Sequence, residues 1–138
     1  MSYLLDTNVL SEGRRRDGEP RVVEWLTSVA SEKLFVSVLV LGEVRRGIDR
    51  LRPRDPDQAA VFERWLAELH ERFSDRVVPI DAAIADEWGR MTASITVPVE
   101  DGLMAATAKV HGLTFVTRNV THVARTGARL LNPWEPAS

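Results

Sequence analysis

Lys33-Leu34-Phe35-Val36-Ser37-Val38, followed at once by Leu39-Val40-Leu41-Gly42-Glu43-Val44-Arg45-Arg46-Gly47-Ile48-Asp49-Arg50-Leu51, is the stretch that decides the fold. Its first part is a β-branched and aromatic run of strand length. Its second part sets Leu41, Val44, Ile48 and Leu51 on one helical stripe, with arginines on the opposite face. The same alternation of strand and helix recurs in both directions along the chain.

Upstream, Tyr3-Leu4-Leu5 heads a short strand, and Asp6-Thr7-Asn8 supply capping residues for the turn that follows. Arg14 to Pro20 reads as a polar loop, and Arg21 to Val29 places Val22, Val23, Leu26 and Val29 at helical spacing. Downstream, Asp55-Pro56 is a cap followed by proline at the first helical position. Val61, Phe62, Trp65, Leu66, Leu69 and Phe73 give that helix a broad apolar face. Val77-Val78-Pro79-Ile80 is a third strand, and Asp81 caps a helix carrying Ile84, Ala85, Trp88 and Met91. A helix over Val99 to His111 ends at Gly112, strand four spans Leu113 to Thr117, and Arg129-Leu130-Leu131-Asn132 forms the last strand.

Strands and helices in alternation, joined by short loops, predict an α/β fold: a three-layer α/β/α domain with a central parallel sheet. One domain over residues 1–138 accounts for the length. Right-handed crossovers bring the ends of strands one and four to one edge. No cysteine is present, which excludes disulfides, thiolate metal sites and thiol nucleophiles. No charged-then-apolar leader or membrane-length apolar stretch can be read, so a soluble cytoplasmic protein without membrane association is expected. Net charge is −2, which excludes a wholesale polycation but not a local basic groove. Lys33 and Lys109 are the only lysines; arginines cluster at Arg14, Arg15 and Arg16 and from Arg45 to Arg54. Arginine forks suit phosphate recognition, though a solvated helix face accounts equally for such clusters.

Three acids stand far apart in sequence where this topology would gather them: Asp6 after strand one, Glu43 beyond strand two, and Asp101 in the first turn of a largely apolar helix. Each alone has a structural explanation, as an N-cap or a partner of the helix dipole. Together they would repel by roughly 4 kcal/mol per pair at about 4 Å and an effective dielectric of about 20. A hard divalent cation removes that cost. Strand four is followed by Asn119 and His122 with no acid between them. Neither a Gly-x-Ser-x-Gly elbow nor a glycine-rich phosphate loop is present, which leaves metal-assisted chemistry.

The ordered motifs Asp6-Thr7-Asn8-Val9-Leu10, Ser37 through Glu43, and Asp101-Gly102-Leu103-Met104-Ala105-Ala106 resemble those of PIN domains. His111 through Val120 and the closing Leu130-Leu131-Asn132-Pro133-Trp134 resemble VapC-type toxins of bacterial type II toxin–antitoxin systems. The resemblance implies an endoribonuclease dependent on Mg2+ or Mn2+, with Asp6, Glu43 and Asp101 as catalytic, metal-holding acids. Many members carry a fourth acid where this chain has Asn119, and others an aspartate at the position of His122, so a second metal stays open. Thr7, Asn8, Ser37 and Thr117 match polar positions that orient acids or water. Arg118, Arg14, Arg15 and Arg16 are the candidate RNA contacts. A homodimer and a small VapB-type antitoxin are the implied partners, with Trp25, Phe62 or Trp65 available for such contacts. The missing fourth acid also fits a catalytically weak module that grips RNA or a protein partner.

Overall fold

The computed structural model describes residues 1–136. Its sheet is built from β1 (Tyr3–Leu5), β2 (Leu34–Ser37), β3 (Val77–Val78), β4 (Thr114–Val116) and β5 (Leu130–Leu131). All neighbours pair in parallel, in the order β3-β2-β1-β4-β5. The helices are α1 (Thr7–Arg14), α2 (Pro20–Ser28), α3 (Val38–Leu51), α4 (Pro56–Arg72), α5 (Ala82–Thr92), α6 (Val99–His111) and α7 (Val120–Val123). One group packs α1 on α2 and α3, and α3 on α4; the other packs α5 on α6, with α6 against β1 and β4. The sheet lies between them as the expected three-layer architecture. The expected domain end, Ala137 and Ser138, lies outside the described residues.

β1 is the central strand, and both of its neighbours come from distant sequence. The chain adds β2 and β3 on one side, then returns to add β4 and β5 on the other. Crevices at such reversals, outside the carboxyl ends of the strands, are where ligands enter α/β sheets. Leu4, Leu5, Val9, Val36, Val40, Phe115 and Val116 fill the core with at most 1% of their surface exposed. Gly102, Ala105, Ala106 and Ala108 are buried on α6, and their small size lets this helix lie close against its neighbours. Thr107 satisfies its buried hydroxyl by donating to the Leu103 carbonyl at 2.7 Å.

Boundaries differ from the sequence reading where a polar group or proline intervenes. Strand two yields to α3 at Val38 because the Ser37 hydroxyl accepts the Leu39 N–H at 3.1 Å and starts the helix. Strand three stops at Val78, before Pro79, which has no N–H for the ladder. The turn after Asp6 is a full helix, and α7 is an element the sequence reading left within a loop. Gly112 closes α6 as expected: its φ of 64° is left-handed. Leu113 N–H reaches the Ala108 carbonyl at 2.8 Å, while Gly112 N–H reaches Lys109, which is a Schellman cap.

Trp25, Phe62 and Trp65 are half-buried and packed against the core. Trp25 meets the Tyr3 ring edge-on at 5.0 Å, and the Arg14 guanidinium lies over both Phe62 and Trp65. Arg45 and Arg52 of the second arginine cluster pair with Glu63 and Asp49, tying α3 to α4.

Arg76 locks the entry to β3. Its guanidinium donates to the carbonyls of Ser31, Leu34 and Arg72 at 2.5, 2.6 and 2.6 Å. Arg76→Met keeps the aliphatic stem but strands three carbonyls, so it should destabilise the fold by about 2 kcal/mol. Urea denaturation checks this; an unchanged midpoint would show that the three bonds contribute nothing net.

Candidate active site

Asp6 is placed by backbone bonding before its side chain acts. Its N–H donates to the Val116 carbonyl at 2.9 Å, extending the β1–β4 ladder by one residue. The chain then turns into α1, with Asp6 as N-cap: Oδ1 accepts the Thr7 N–H at 2.8 Å. The other oxygen, Oδ2, accepts the Thr117 hydroxyl at 2.6 Å. Thr117 is buried at the end of β4, and its Oγ1 in turn accepts the Asn119 N–H at 3.0 Å. The Asp6 residue is 7% exposed. Burial pushes its carboxyl above the ordinary carboxylate range; the Asp101 and Glu100 charges add to that, and the two donors only partly offset it.

Glu43 lies in the second turn of α3, where its Oε2 accepts the Thr7 hydroxyl at 2.8 Å. Burial, then repulsion from Asp6 and Glu100, raises its pKa to about 7 against the pull of Thr7. Asp101 enters from the first turn of α6, and His122 Nδ1 stands 3.4 Å from its Oδ2. Beside it Glu100 meets Arg46 at 3.0 Å. These acids open into one cleft of about 490 Å³. Its walls are Asp6, Thr7, Asn8, Ser11, Glu12, Arg15, Glu43, Glu100, Asp101, Arg118, Asn119 and Trp134. Two larger hollows, about 670 Å³ beside α2 and the C-terminal segment and about 510 Å³ between α1, α2 and α4, do not bring three acids together.

The donor chemistry of the cleft suits a hard cation. Five carboxylates face two guanidiniums, and every strong donor is oxygen. The Asn8 Oδ1 is buried with no hydrogen-bond partner, an acceptor left open in the same wall. Among the described residues, no three acidic or histidine side chains are drawn close enough to enclose an ion by themselves. Mutual repulsion favours such an open arrangement, and an ion would have to draw the carboxylates together.

Most residues singled out in the sequence meet here. Asp6, Thr7, Asn8, Glu43, Asp101, Arg15, Arg118 and Asn119 line the cleft, and Thr117 supports it from behind. Ser37 does not join them: it is fully buried as the cap of α3. Arg14 stacks on Phe62 and Trp65, and neither it nor Arg16 lines the cleft. The sequence reading missed Ser11, Glu12, Glu100 and Trp134. Glu100 could have been found as the neighbour of Asp101 in the same first turn. Trp134 could not, because only folding brings the C-terminal segment beside Arg118, whose guanidinium sits 5.2 Å from the Trp134 ring centre.

The sequence matches the PIN domain family over residues 3–126. The chain belongs to that family. Toxin FitB of Neisseria gonorrhoeae is 32% identical over 136 residues, covering 95% of this chain and 97% of that protein. VapC ribonuclease Y4jK of Sinorhizobium fredii is 29% identical over 139 residues, covering 97% and 99%. A chain in the structure of FitAB bound to an IR36 DNA fragment superposes with a TM-score of 0.89 at 30% identity, covering 99% of this chain and 98% of that one.

In this PIN domain the raised Glu43 pKa has a defined consequence for stability. Folded Glu43 holds its proton up to about pH 7, whereas the ordinary value is 4.5. The folded state therefore binds more protons in that window, and the contribution of Glu43 to stability falls as pH rises through it. In chelator-treated protein, the melting temperature of Glu43→Gln should rise relative to wild type between about pH 5 and about pH 7.5. A difference that does not change with pH would contradict the burial of an ionisable Glu43.

Proposed function

We propose that residues 1–138 form a single-domain endoribonuclease toxin of a type II toxin–antitoxin system, dependent on Mg2+ or Mn2+. The observation that carries this reading is the carboxylate cleft at the reversal of strand order in a PIN domain, with Asp6 buried and held by donors from two strands' ends. A VapC ribonuclease among the relatives, matched over 99% of its length, supports RNA as the substrate.

Asp6 and Asp101 would hold the ion directly and Glu43 would complete its surroundings, with Asn119 as a further oxygen donor. When bound, the ion supplies an activated water and charge compensation at a phosphodiester. The chain does the positioning. The Thr117 hydroxyl and the Thr7 N–H fix both oxygens of Asp6, and the Thr7 hydroxyl fixes Glu43, so the acids keep their orientation when substrate arrives. Arg15 and Arg118 stand in the cleft walls, where their forks can grip the phosphates on either side of the scissile bond. Trp134 offers a ring face beside Arg118 on which an unpaired base can stack, which fits a single-stranded substrate. No side chain need act as a nucleophile, and hydrolysis would leave 5′-phosphate and 3′-hydroxyl ends.

A VapB-type antitoxin is the proposed inhibitor, as the FitAB structure and related toxin–antitoxin complexes suggest. An arginine carried into the cleft by that partner would pair with carboxylates that have few cations of their own. A homodimer and a cytoplasmic location belong to the same reading. Among the described residues no helix is long and apolar enough to cross a membrane. The second reading, a catalytically weak binding module, is favoured by one observation: Asn119 stands in the cleft where many members carry an acid.

Cleavage of total RNA by purified, partner-free protein separates the two. Discrete fragments requiring Mg2+ or Mn2+, abolished by EDTA, are expected. Asp6→Asn and Asp101→Asn should each lower the rate by about a thousandfold or more, roughly 4 kcal/mol of transition-state stabilisation. RNA retained without any product would favour the binding module. Trp134→Ala should raise KM by about tenfold with little change in kcat, the effect of losing one stacked base. A variant with unchanged KM would remove Trp134 from the RNA path.

A further inference from the structure

We propose that Glu100, held by Arg46, is the fourth carboxylate of the metal site, standing in for the acid that Asn119 replaces. This rests on the metal-dependent reading above and adds a residue to it. Three observations converge. Glu100 lines the same cleft as Asp6, Glu43 and Asp101. Its Oε1 accepts from Arg46 Nη2 at 3.0 Å, and Arg46 lies one helical turn beyond Glu43 on α3. Asn119 can offer only a neutral carboxamide, a weaker ligand than a carboxylate for a hard cation.

A purely structural role for Glu100 is small. The Arg46–Glu100 pair is about half exposed on both sides, 49% and 47%. Exposed pairs of this kind contribute little to folding. The fold therefore gains little from bringing one more negative charge to a cleft already crowded with carboxylates. A cation gains more: an anionic oxygen from the same helical turn as Asp101, delivered to the acids of β1 and α3 and steered by a guanidinium from the helix that carries Glu43. Removing Glu100 would then act on ion affinity with little effect on the fold.

Calorimetric titration of Mn2+ into purified, partner-free full-length protein tests this directly. Glu100→Gln is isosteric and sits on the surface of α6, so its melting temperature should stay near wild type. Its Mn2+ affinity should fall by about tenfold or more. Glu12→Gln removes the same charge from the same cleft, but Glu12 already accepts the Glu19 N–H at 2.7 Å. That variant should change affinity by no more than about twofold, the loss expected from a screened charge alone. Equal losses in the two variants would overturn the ligand role of Glu100 and leave only long-range electrostatics. Wild-type affinity in Glu100→Gln, with binding lost in Asp101→Asn, would overturn this inference alone. No Mn2+ binding by the wild-type protein would overturn both it and the metal-dependent reading.

Discussion

The bond between the Thr117 hydroxyl and the Asp6 carboxylate, 2.6 Å long and buried, is the contact around which the site is organised. It joins the ends of two strands more than a hundred residues apart in sequence, at the point where the sheet changes its direction of growth. Asp6 is at once the last member of a ladder, the cap of a helix and an acid of the cleft. The Asp6 N–H fixes it to β4, Oδ1 fixes it to α1, and Oδ2 is fixed by Thr117. A residue held at three points cannot turn away from its neighbours, so burial, with added repulsion from Asp101 and Glu100, is retained as a raised proton affinity. The same constraint reaches Glu43 through Thr7, the first residue of the helix that Asp6 caps.

This arrangement sacrifices some stability to hold acids together in one cleft, which the proposed reading explains as preparation for an ion. Burial and crowding disfavour ionised acids, and donors such as Thr7 and Thr117 compensate only in part. Elsewhere the chain does the reverse. Arg45 and Arg52 meet Glu63, Arg90 meets Asp86 and Glu87, and Lys109 meets Glu87, so these charges are matched within hydrogen-bond reach. The contrast between these matched pairs and the crowded carboxylates of one cleft supports the proposed reading of that cleft.

How much of this could be read from the sequence depended on whether the deciding physics was local. Asp6 as a cap, Gly112 as a left-handed stop and the stripe on α3 are local, and the structure has each of them. The convergence of Asp6, Glu43 and Asp101 in one cleft also followed, because parallel topology brings strand ends to one edge. Ser37 looked like a site residue because its position matched a motif. Its hydroxyl is instead engaged by the Leu39 N–H, a choice between cap and cleft that only the turn geometry decides. The triple arginine was ambiguous for a related reason: side chains from adjacent residues diverge, so Arg14 packs on aromatics while Arg15 enters the cleft. Trp134 depends on long-range packing between segments whose relative positions no local pattern encodes.

The allocation of arginines also bears on how such a protein could meet RNA. With a net charge of −2 and with Arg45 and Arg52 paired to glutamate and aspartate, the chain offers little general attraction to a polyanion. The cleft itself is worse, with five carboxylates against Arg15 and Arg118. A phosphodiester approaching those acids meets like charge at close range, where each unscreened pair costs on the order of 4 kcal/mol at 4 Å. Two arginines cannot cancel that for both the acids and the phosphate. A divalent ion held by Asp6 and Asp101 would supply that compensation, since it attracts both the acids and the phosphate. On the proposed reading, the ion is therefore needed for binding the scissile phosphate as well as for activating water. On the same reading, the arginines and Trp134 at the cleft walls would select which phosphate arrives.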